Sequence, residues 1–446
     1  MSDNIRFKTM LAKEKLTTLR FCFDWRRNEI AVFASQEWAP SLDWTNYNKT
    51  FTLSSLFYSD IKTYNDRETR ELIERYNLIG KLNQIEELLR KGKHQYTTWY
   101  YNQDLDILVM DNVHSDVLGL NNKSSCLRAG GIRRHEATED EIEVLIDGLN
   151  LSRGMSFKNF AAGIPYGGNK FCVMMKPLNL EHNGELGFLA YAIDRSRNFS
   201  GPDMKFPPEM AEVLNERYTI NIGGAPNSTI GPSGTPTAHG VFQAIREAIH
   251  FVFQTKDLTG KSILVQGLGA VGRPLAKLAI KAKMTLFVCD INSASIEQLQ
   301  NENPMVIITE IAVDKMLTTE VDVLSPCAIG GIFTFDNIDT LKCKIIIGGA
   351  NNQLKASGYE EEKDLAEKLA NRGILFQVAW WHNIGGVYGA IKEYEQGEKI
   401  NLQIIIDQIE SQVKNMTRRN LAEAREKGIT PTENAYLSAI ETIYPH

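Results

Sequence analysis

Residues 261–290 constrain the fold of this chain more than any other stretch. KSILVQ (Lys261–Gln266) is an apolar run of strand type, GLGAVGRPLAKLAIKAK follows with helical spacing, and MTLFVCD is a second strand. Gly267, Gly269 and Gly272 stand in a G-x-G-x-x-G spacing at the strand-to-helix turn. The first glycine allows the tight turn, the second lets backbone approach a pyrophosphate, and the third lets helix lie close to strand. Asp290 ends the second strand, where an acid accepts from a ribose 2′-hydroxyl and repels a 2′-phosphate. A dinucleotide site is expected, for NAD rather than NADP, with Ala270, Val271 and Ile291 flanking it.

More strands follow at VDVLSPCA, KCKIIIGGANN and GILFQVAWW, with helical stretches between them. That alternation predicts a parallel doubly wound sheet of Rossmann type. Ligands of such sheets sit at the carboxyl ends of the strands, which places Pro326, Cys327, Ala328, Asn351 and Asn352 there. Upstream, IGGAPNSTIGPSGTPTAHG is dense in chain breakers and marks a domain boundary near Thr237. The tail from Ile400 reads as helical.

The first 82 residues say less. TLRFCFDWRRNEIAVFAS reads as two short strands about a polar turn, and RETRELIERYNLIGKLNQIEELLRKGK as helix with Gly80 as its break. QYTTWYYNQDLDILVMDN is a second strand pair that echoes the first in layout. A duplicated unit would explain the echo, and so would convergence on a common hairpin pattern, which is the commoner origin.

The 446 residues suffice for two or three domains. A net charge of −6 without a long basic run argues against nucleic acid as partner. No stretch approaches the roughly 18 to 20 apolar residues that span a bilayer, and MSDNIRFKTMLAKEKLTTLR lacks the apolar core of a secretory signal. The six cysteines contain no C-x-x-C pair and the eight histidines no ligand spacing. Reduced thiols in a cytoplasmic protein without a metal are expected.

Chemistry is suggested by SRGMSFKNFAAGIPYGGNKFC (Ser152–Cys172). Its lysines, Lys158 and Lys170, have Phe, Ala, Ile, Tyr and Gly as neighbours. An ammonium among apolar atoms loses hydration, so its pKa falls toward the range useful for proton transfer, and a second ammonium nearby lowers it further.

Taken together, AGGIRR, SRGMSFKNFAAGIPYGGNK, the Pro-Asp of SGPDM, GTPTAHGV, GLGAVG with CDIN, SPCAIGG, GGANNQL and HNIGGVYGA resemble the glutamate/leucine/phenylalanine/valine dehydrogenase family. The leucine and phenylalanine dehydrogenase branch is nearest, and the likeness runs from about residue 85 to the end. It implies an α/β protein of two domains: an N-terminal α/β domain for substrate and oligomerisation, and a Rossmann domain for NAD. The expected division is 1–82 as an extension, 83–235 as the substrate domain, 236–390 as the NAD domain, and 391–446 as helices packing back on the first domain. A homo-oligomer, at least a dimer, is expected.

By motif, the resemblance makes Lys170 the catalytic lysine and Asp203 the catalytic acid. Lys158 holds the substrate carboxylate with the Gly130–Gly131 backbone, Thr237 and Asn352 face the nicotinamide, and Asn383 lies near the substrate. Without the resemblance, Asp203 in a Pro-Asp loop reads as a turn or cap residue. The implied reaction is NAD-dependent oxidative deamination of an L-amino acid to its 2-keto acid and ammonia, and the reverse.

The departures from the family pattern lie on the substrate side. Asn169 replaces a glycine, the segment after Asp203 is shorter, and the loop before AGGIRR is longer. Among positions matched to the side-chain pocket, Ala129, Gly201 and Ala390 are smaller than usual and Val387 is unchanged in kind. A larger cavity suits a large apolar or aromatic side chain. Trp380, Trp381 and Tyr388 would either stack on it or belong to the core. Two other readings compete: a specialised-metabolism relative acting on a modified amino acid, keto acid or imine, and a non-catalytic NAD-binding paralogue.

Overall fold

A computed structural model describes residues 6–39, 42–51, 61–181, 183–356 and 358–444. Part of the opening stretch read above, residues 1–5, and parts of the 1–82 segment, residues 40–41 and 52–60, lie outside them. The chain divides into two compact units, 1–159 with 165–228, and 160–164 with 229–446.

The first unit is built on one mixed sheet. In chain order it contains α1 (Phe7–Glu14), β1 (Thr18–Asp24), β2 (Glu29–Ser35), β3 (Thr63–Tyr64), α2 (Asp66–Arg75), α3 (Ile79–Gly92), β4 (Tyr96–Asn102) and β5 (Ile107–Ser115). Then come β6 (Arg128–Ala129), β7 (Ile132–His135), α4 (Glu141–Ala162), β8 (Gly167–Met174), α5 (Asn183–Arg195), β9 (Asn198–Phe199) and α6 (Pro208–Arg217). The strands run β3-β2-β1-β4-β5-β8-β6-β9, with β7 also on β8. Both predicted hairpins form, and the first 82 residues add three strands to the same sheet.

Helices cover both faces, as the alternation along the strands requires. Leu108 and Met110 of β5 and Cys172 and Met174 of β8 enter one core with residues of α1, α3 and α4. Ile107, Val109, Phe171 and Val173 enter the other with α5 and α6. The break expected at Gly80 lies instead between α2 and α3, at Tyr76–Leu78, where Asn77 turns left-handed with φ 54°. Asn77 tolerates that conformation at little cost, and Leu78 is thereby buried. Gly80 sits in the first turn of α3, where nothing lies within 4 Å of where its Cβ would be.

The second unit is a six-stranded parallel sheet with helices. It comprises α7 (Gly234–Phe253), β10 (Ser262–Gln266), α8 (Gly272–Lys281), β11 (Thr285–Cys289), α9 (Ser293–Glu302), β12 (Ile308–Glu310), β13 (Val323–Pro326) and β14 (Ile345–Ile346). It continues with α10 (Tyr359–Asn371), β15 (Leu375–Phe376), α11 (Gly385–Gln396), α12 (Leu402–Lys427) and α13 (Pro431–Ile443). The order β12-β11-β10-β13-β14-β15 is that of a doubly wound sheet, reversing between β10 and β13. Within this unit α12 lies along α7 and α13 packs on α12. Among the described residues no helix is long and apolar enough to cross a membrane.

Candidate active site

In the first unit the glycine pair of AGGIRR is stitched between two strands. The Gly130 amide donates to Phe199 at 3.0 Å, the Phe171 amide to the Gly131 carbonyl at 3.0 Å, and the Ile132 amide to the Gly201 carbonyl at 2.9 Å. A Cβ on Gly130 would sit 2.0 Å from the Asn169 carbonyl oxygen. One on Gly131 would sit 3.0 Å from Lys170 Nζ and 3.2 Å from the Gly201 carbonyl. Gly130 is therefore required by space, while a side chain at Gly131 would crowd the Lys170 ammonium.

Lys170 on β8 is almost wholly buried, and its ammonium donates directly to the Asp203 carboxylate. Arg133 on β7 donates to the same Asp203 oxygen at 3.2 Å and to both oxygens of Asp147 on α4, at 3.0 and 3.1 Å. Burial alone would raise the Asp203 carboxyl, but Lys170 and then Arg133 outweigh it and hold it below the usual carboxylate range. Lys158, on α4, is pulled down to about 8, first by burial and then by the Lys170 ammonium, with Asp203 opposing. The two lysines are thus electrostatic neighbours, as their sequence surroundings suggested. A carboxylate arriving at Lys158 would relieve both the desolvation and the like-charge repulsion.

Asn169 lies on the other side of the sheet. Successive strand residues point to opposite faces, and its amide donates to Asp111 Oδ1 at 3.3 Å. Asn198 donates to the same oxygen at 2.8 Å, and burial raises this Asp111 carboxyl against the opposing charge of Arg128. The substitution for the family glycine thus joins a buried polar network behind the strand, while Lys170 keeps its own face. His135, Asp147 and Cys172 bring ligand-type atoms within 4.8 Å of one another. Asp147 is already paired with Arg133 and burial pushes the Cys172 thiol up, so the trio reads as part of the ion-pair network.

In the second unit the three motif glycines separate by function. Gly267 has φ 85° and its Cβ would meet Ala328 Cβ at 2.5 Å, while a Cβ on Gly272 would meet the Gly267 carbonyl at 1.8 Å. Nothing lies within 4 Å of where a Gly269 Cβ would be. Two glycines are demanded by the turn and the helix packing, and one opens on free space, as an approaching pyrophosphate needs. Asp290 accepts from the amides of Leu268 at 2.5 Å and Asn292 at 2.8 Å, so it braces the turn, and Ile291 beside it is 93% exposed. Ala270 and Val271 lead into α8, whose positive amino-terminal end favours an anion. These residues fit a dinucleotide.

At the carboxyl ends of the strands, the Ala328 amide donates to Gln266 Oε1 at 3.3 Å and the Gly349 amide to Cys327 Sγ at 3.5 Å. Asn352 is left-handed with φ 47°. Asn383 donates to the Gly349 carbonyl and to Asn351 Oδ1, and its own Oδ1, although buried, meets no partner among the described residues. The Thr237 hydroxyl donates to the Ser233 carbonyl near the start of α7. Ala129 is wholly buried in the first unit, whereas Val387 and Ala390 are half-buried on α11 of the second. Trp380 and Trp381 are core residues, packed against Tyr436 and Phe160, and the Tyr388 hydroxyl donates to Gln408.

Sequence reasoning did not single out Arg133, Asp147 or Asp111. Arg133 had a signal, being a cation two residues after a glycine pair. Asp147 and Asp111 had none, because their partners are brought in by helix packing and by sheet pairing respectively.

The sequence pattern that defines the Glutamate/Leucine/Phenylalanine/Valine dehydrogenase family matches residues 233–445. An L-tryptophan dehydrogenase of Nostoc punctiforme (strain ATCC 29133 / PCC 73102) is 29% identical over 308 residues, 69% of this chain and 82% of that protein. A phenylalanine dehydrogenase of Bacillus thermotolerans is 30% identical over 336 residues, 71% of this chain and 83% of that protein. Among solved structures, that of L-tryptophan dehydrogenase from Nostoc punctiforme superposes with a TM-score of 0.67 at 25% identity, over 80% of this chain and 98% of the other.

Proposed function

Because the chain belongs to the glutamate/leucine/phenylalanine/valine dehydrogenase family, and so is an amino acid dehydrogenase and an oxidoreductase, we propose that it performs NAD-dependent oxidative deamination of an L-amino acid with a large apolar or aromatic side chain, and the reverse reductive amination. The observation that carries this reading is the buried Lys170–Asp203 ion pair with Lys158 as its electrostatic neighbour. The overall reaction consumes amino acid, NAD and water, and releases 2-keto acid, ammonia and reduced cofactor.

Lys158 holds the substrate carboxylate, aided by the Gly130–Gly131 backbone. Asp203, kept ionised by Lys170 and Arg133, accepts the proton of the substrate amino group. A dinucleotide held in the second unit would supply the acceptor for the hydride that leaves Cα. Water then adds to the carbon of the resulting imino acid, with Lys170 stabilising negative charge on the oxygen, and the C–N bond breaks as Asp203 returns its proton to the nitrogen, releasing ammonia and the 2-keto acid. Gly267, Gly269, Gly272 and Asp290 would hold the dinucleotide, and the acid at 290 favours NAD over NADP. The same reading carries assembly as a homo-oligomer and action in the cytoplasm.

The preference for a large side chain rests on Ala129, Gly201 and Ala390, each smaller than the family's usual residue. Likeness to enzymes named for tryptophan and phenylalanine supports it. The test is a side-by-side panel of amino acids with NAD, repeated in reverse with keto acids and ammonia. Highest kcat/KM on tryptophan or phenylalanine is expected. A best value on leucine or valine removes the aromatic preference. Silence on the whole panel with NAD binding intact moves the reading to a modified substrate.

A further inference from the structure

The two strand pairs of the first unit match element by element at a constant offset of 78 positions. β1 (18–24) maps onto β4 (96–102), and β2 opens at Glu29 as β5 opens at Ile107. The helix before each pair ends in a left-handed lysine, Lys15 with φ 57° and Lys93 with φ 51°. Each hairpin turn carries a left-handed polar residue at the same place, Asn28 with φ 56° and Asp106 with φ 50°. Left-handed residues are usual at helix ends and hairpin turns, and here both fall at the same offset as the strands. Between 7–35 and 85–113 the identical residues are Leu11/Leu89, Lys13/Lys91 and Lys15/Lys93, too few to reveal the repeat from sequence.

The two repeats also dock on one another symmetrically. Thr18 faces Tyr100, Arg20 faces Thr98 and Cys22 faces Tyr96. Under the offset Thr98 is the equivalent of Arg20, while Tyr96 and Tyr100 are the equivalents of Thr18 and Cys22. The Arg20/Thr98 pair therefore lies on a local two-fold axis. Backbone bonds beyond the strand ends obey the same exchange, Phe23 amide to Gln95 carbonyl and Tyr101 amide to Thr17 carbonyl, both at 2.8 Å. The equivalent rings of Phe21 and Trp99 meet edge to face at 5.6 Å, and the equivalents Phe7/Ile85 and Leu11/Leu89 share one core. Outward from the axis the sheet continues alike, β2 beside β1 and β5 beside β4.

This is the geometry of an isologous dimer, in which equivalent residues exchange partners across an axis, carried within one chain. A β4 without β1 would be an open edge with Trp99 bare, and such edges recruit another strand. We propose that residues 7–35 are an in-chain stand-in for a second copy of this protein. They fill a self-complementary docking surface on the 85–113 unit, which would otherwise take the same unit of another molecule. The seal also steadies the sheet that carries Lys170, since β8 follows β5 in the strand order.

The test places a cysteine on the axis. Thr98→Cys is made in the full chain, in a chain beginning at Lys62, and in a full chain with Leu19→Pro and Phe21→Pro, whose β1 cannot donate to β4. If a second copy pairs through β4, two Thr98→Cys residues face each other at a separation a disulfide spans. Oxidation is followed by non-reducing electrophoresis, and mass by sedimentation. The proposal expects cross-linked pairs in the truncated and proline chains, with at least a tenfold smaller cross-linked fraction in the full chain. Absence of the cross-link in both opened chains, with amino acid turnover showing the first unit folded, overturns it. Failure of both opened chains to fold at any concentration also overturns it, because a second copy would then not replace residues 7–35.

Discussion

Arg133 donates to the Asp203 carboxylate at 3.2 Å while its other edge grips Asp147. Asp203 thus has a second cation besides Lys170, and one fixed in place by an acid of α4. On the proposed mechanism, the carboxylate that receives a proton is kept ionised in part by a scaffold group that need not touch substrate. Arg133→Met should raise the Asp203 carboxyl, since a stabilising charge is lost, and so move the acid limb of the kcat/KM profile to higher pH. A fall in kcat of roughly 10- to 100-fold is expected from the misplaced carboxylate, with Arg133→Lys recovering part of it. An acid limb that stays put would exclude this role.

Lys158 sits at about 8 in the unliganded protein. On the proposed reading its charged form pairs with the substrate carboxylate, and that form is lost as pH rises. KM for the amino acid should therefore climb above about pH 8 by up to tenfold per pH unit, with kcat less affected. Initial rates from pH 7 to 10 would decide this, and a flat KM would mean that another group holds the carboxylate.

Asp290 is bound to the Leu268 amide of the glycine turn and to the Asn292 amide of its own turn and keeps lone pairs for a ribose. Asp290→Ser should lower kcat/KM with NAD by about 10- to 100-fold, the worth of a hydrogen bond to a charged group, and narrow the gap to NADP. Equal performance with NAD and NADP in the unaltered protein would contradict the cofactor assignment.

His94 and His114 pack at 5.1 Å in the first unit. His94 is lowered to about 3, by burial and then by Arg153, and His114 is lowered too. An unfolded chain binds these protons near pH 6.5 and the folded one does not, so stability is full above about 6.5 and lost as pH falls. The slope is about 1.4 kcal/mol per pH unit for each histidine. Thermal melts at pH 7 and 5 should differ by several degrees, and His94→Leu should reduce the difference.

Much of this was legible in the sequence because local rules suffice there. Strand, glycine turn and helix at 261–290 follow from periodicity, and Lys158 and Lys170 stood out for their apolar neighbours. Asp203 needed the resemblance, since a loop Pro-Asp looks like a cap until β9 and its following segment are set beside β6 and β7, the strands that pair with β8. Asn169 looked like an intrusion on the substrate, because adjacency in sequence hides that neighbours on a strand face opposite ways. The break set at Gly80 fell at Asn77, where burial of Leu78 outweighed the usual preference for glycine. The repeat was audible only as an echo, because its conserved content is backbone conformation and register.

The most direct measurement compares the unaltered protein with Lys170→Met for reduction of NAD in the presence of the best amino acid of the panel. The account predicts turnover by the unaltered protein and a loss in kcat of at least about 10³ in the variant, with NAD affinity unchanged by fluorescence titration. Turnover preserved to within a few fold in Lys170→Met would contradict the assignment of the chemistry to this lysine and its Asp203 partner.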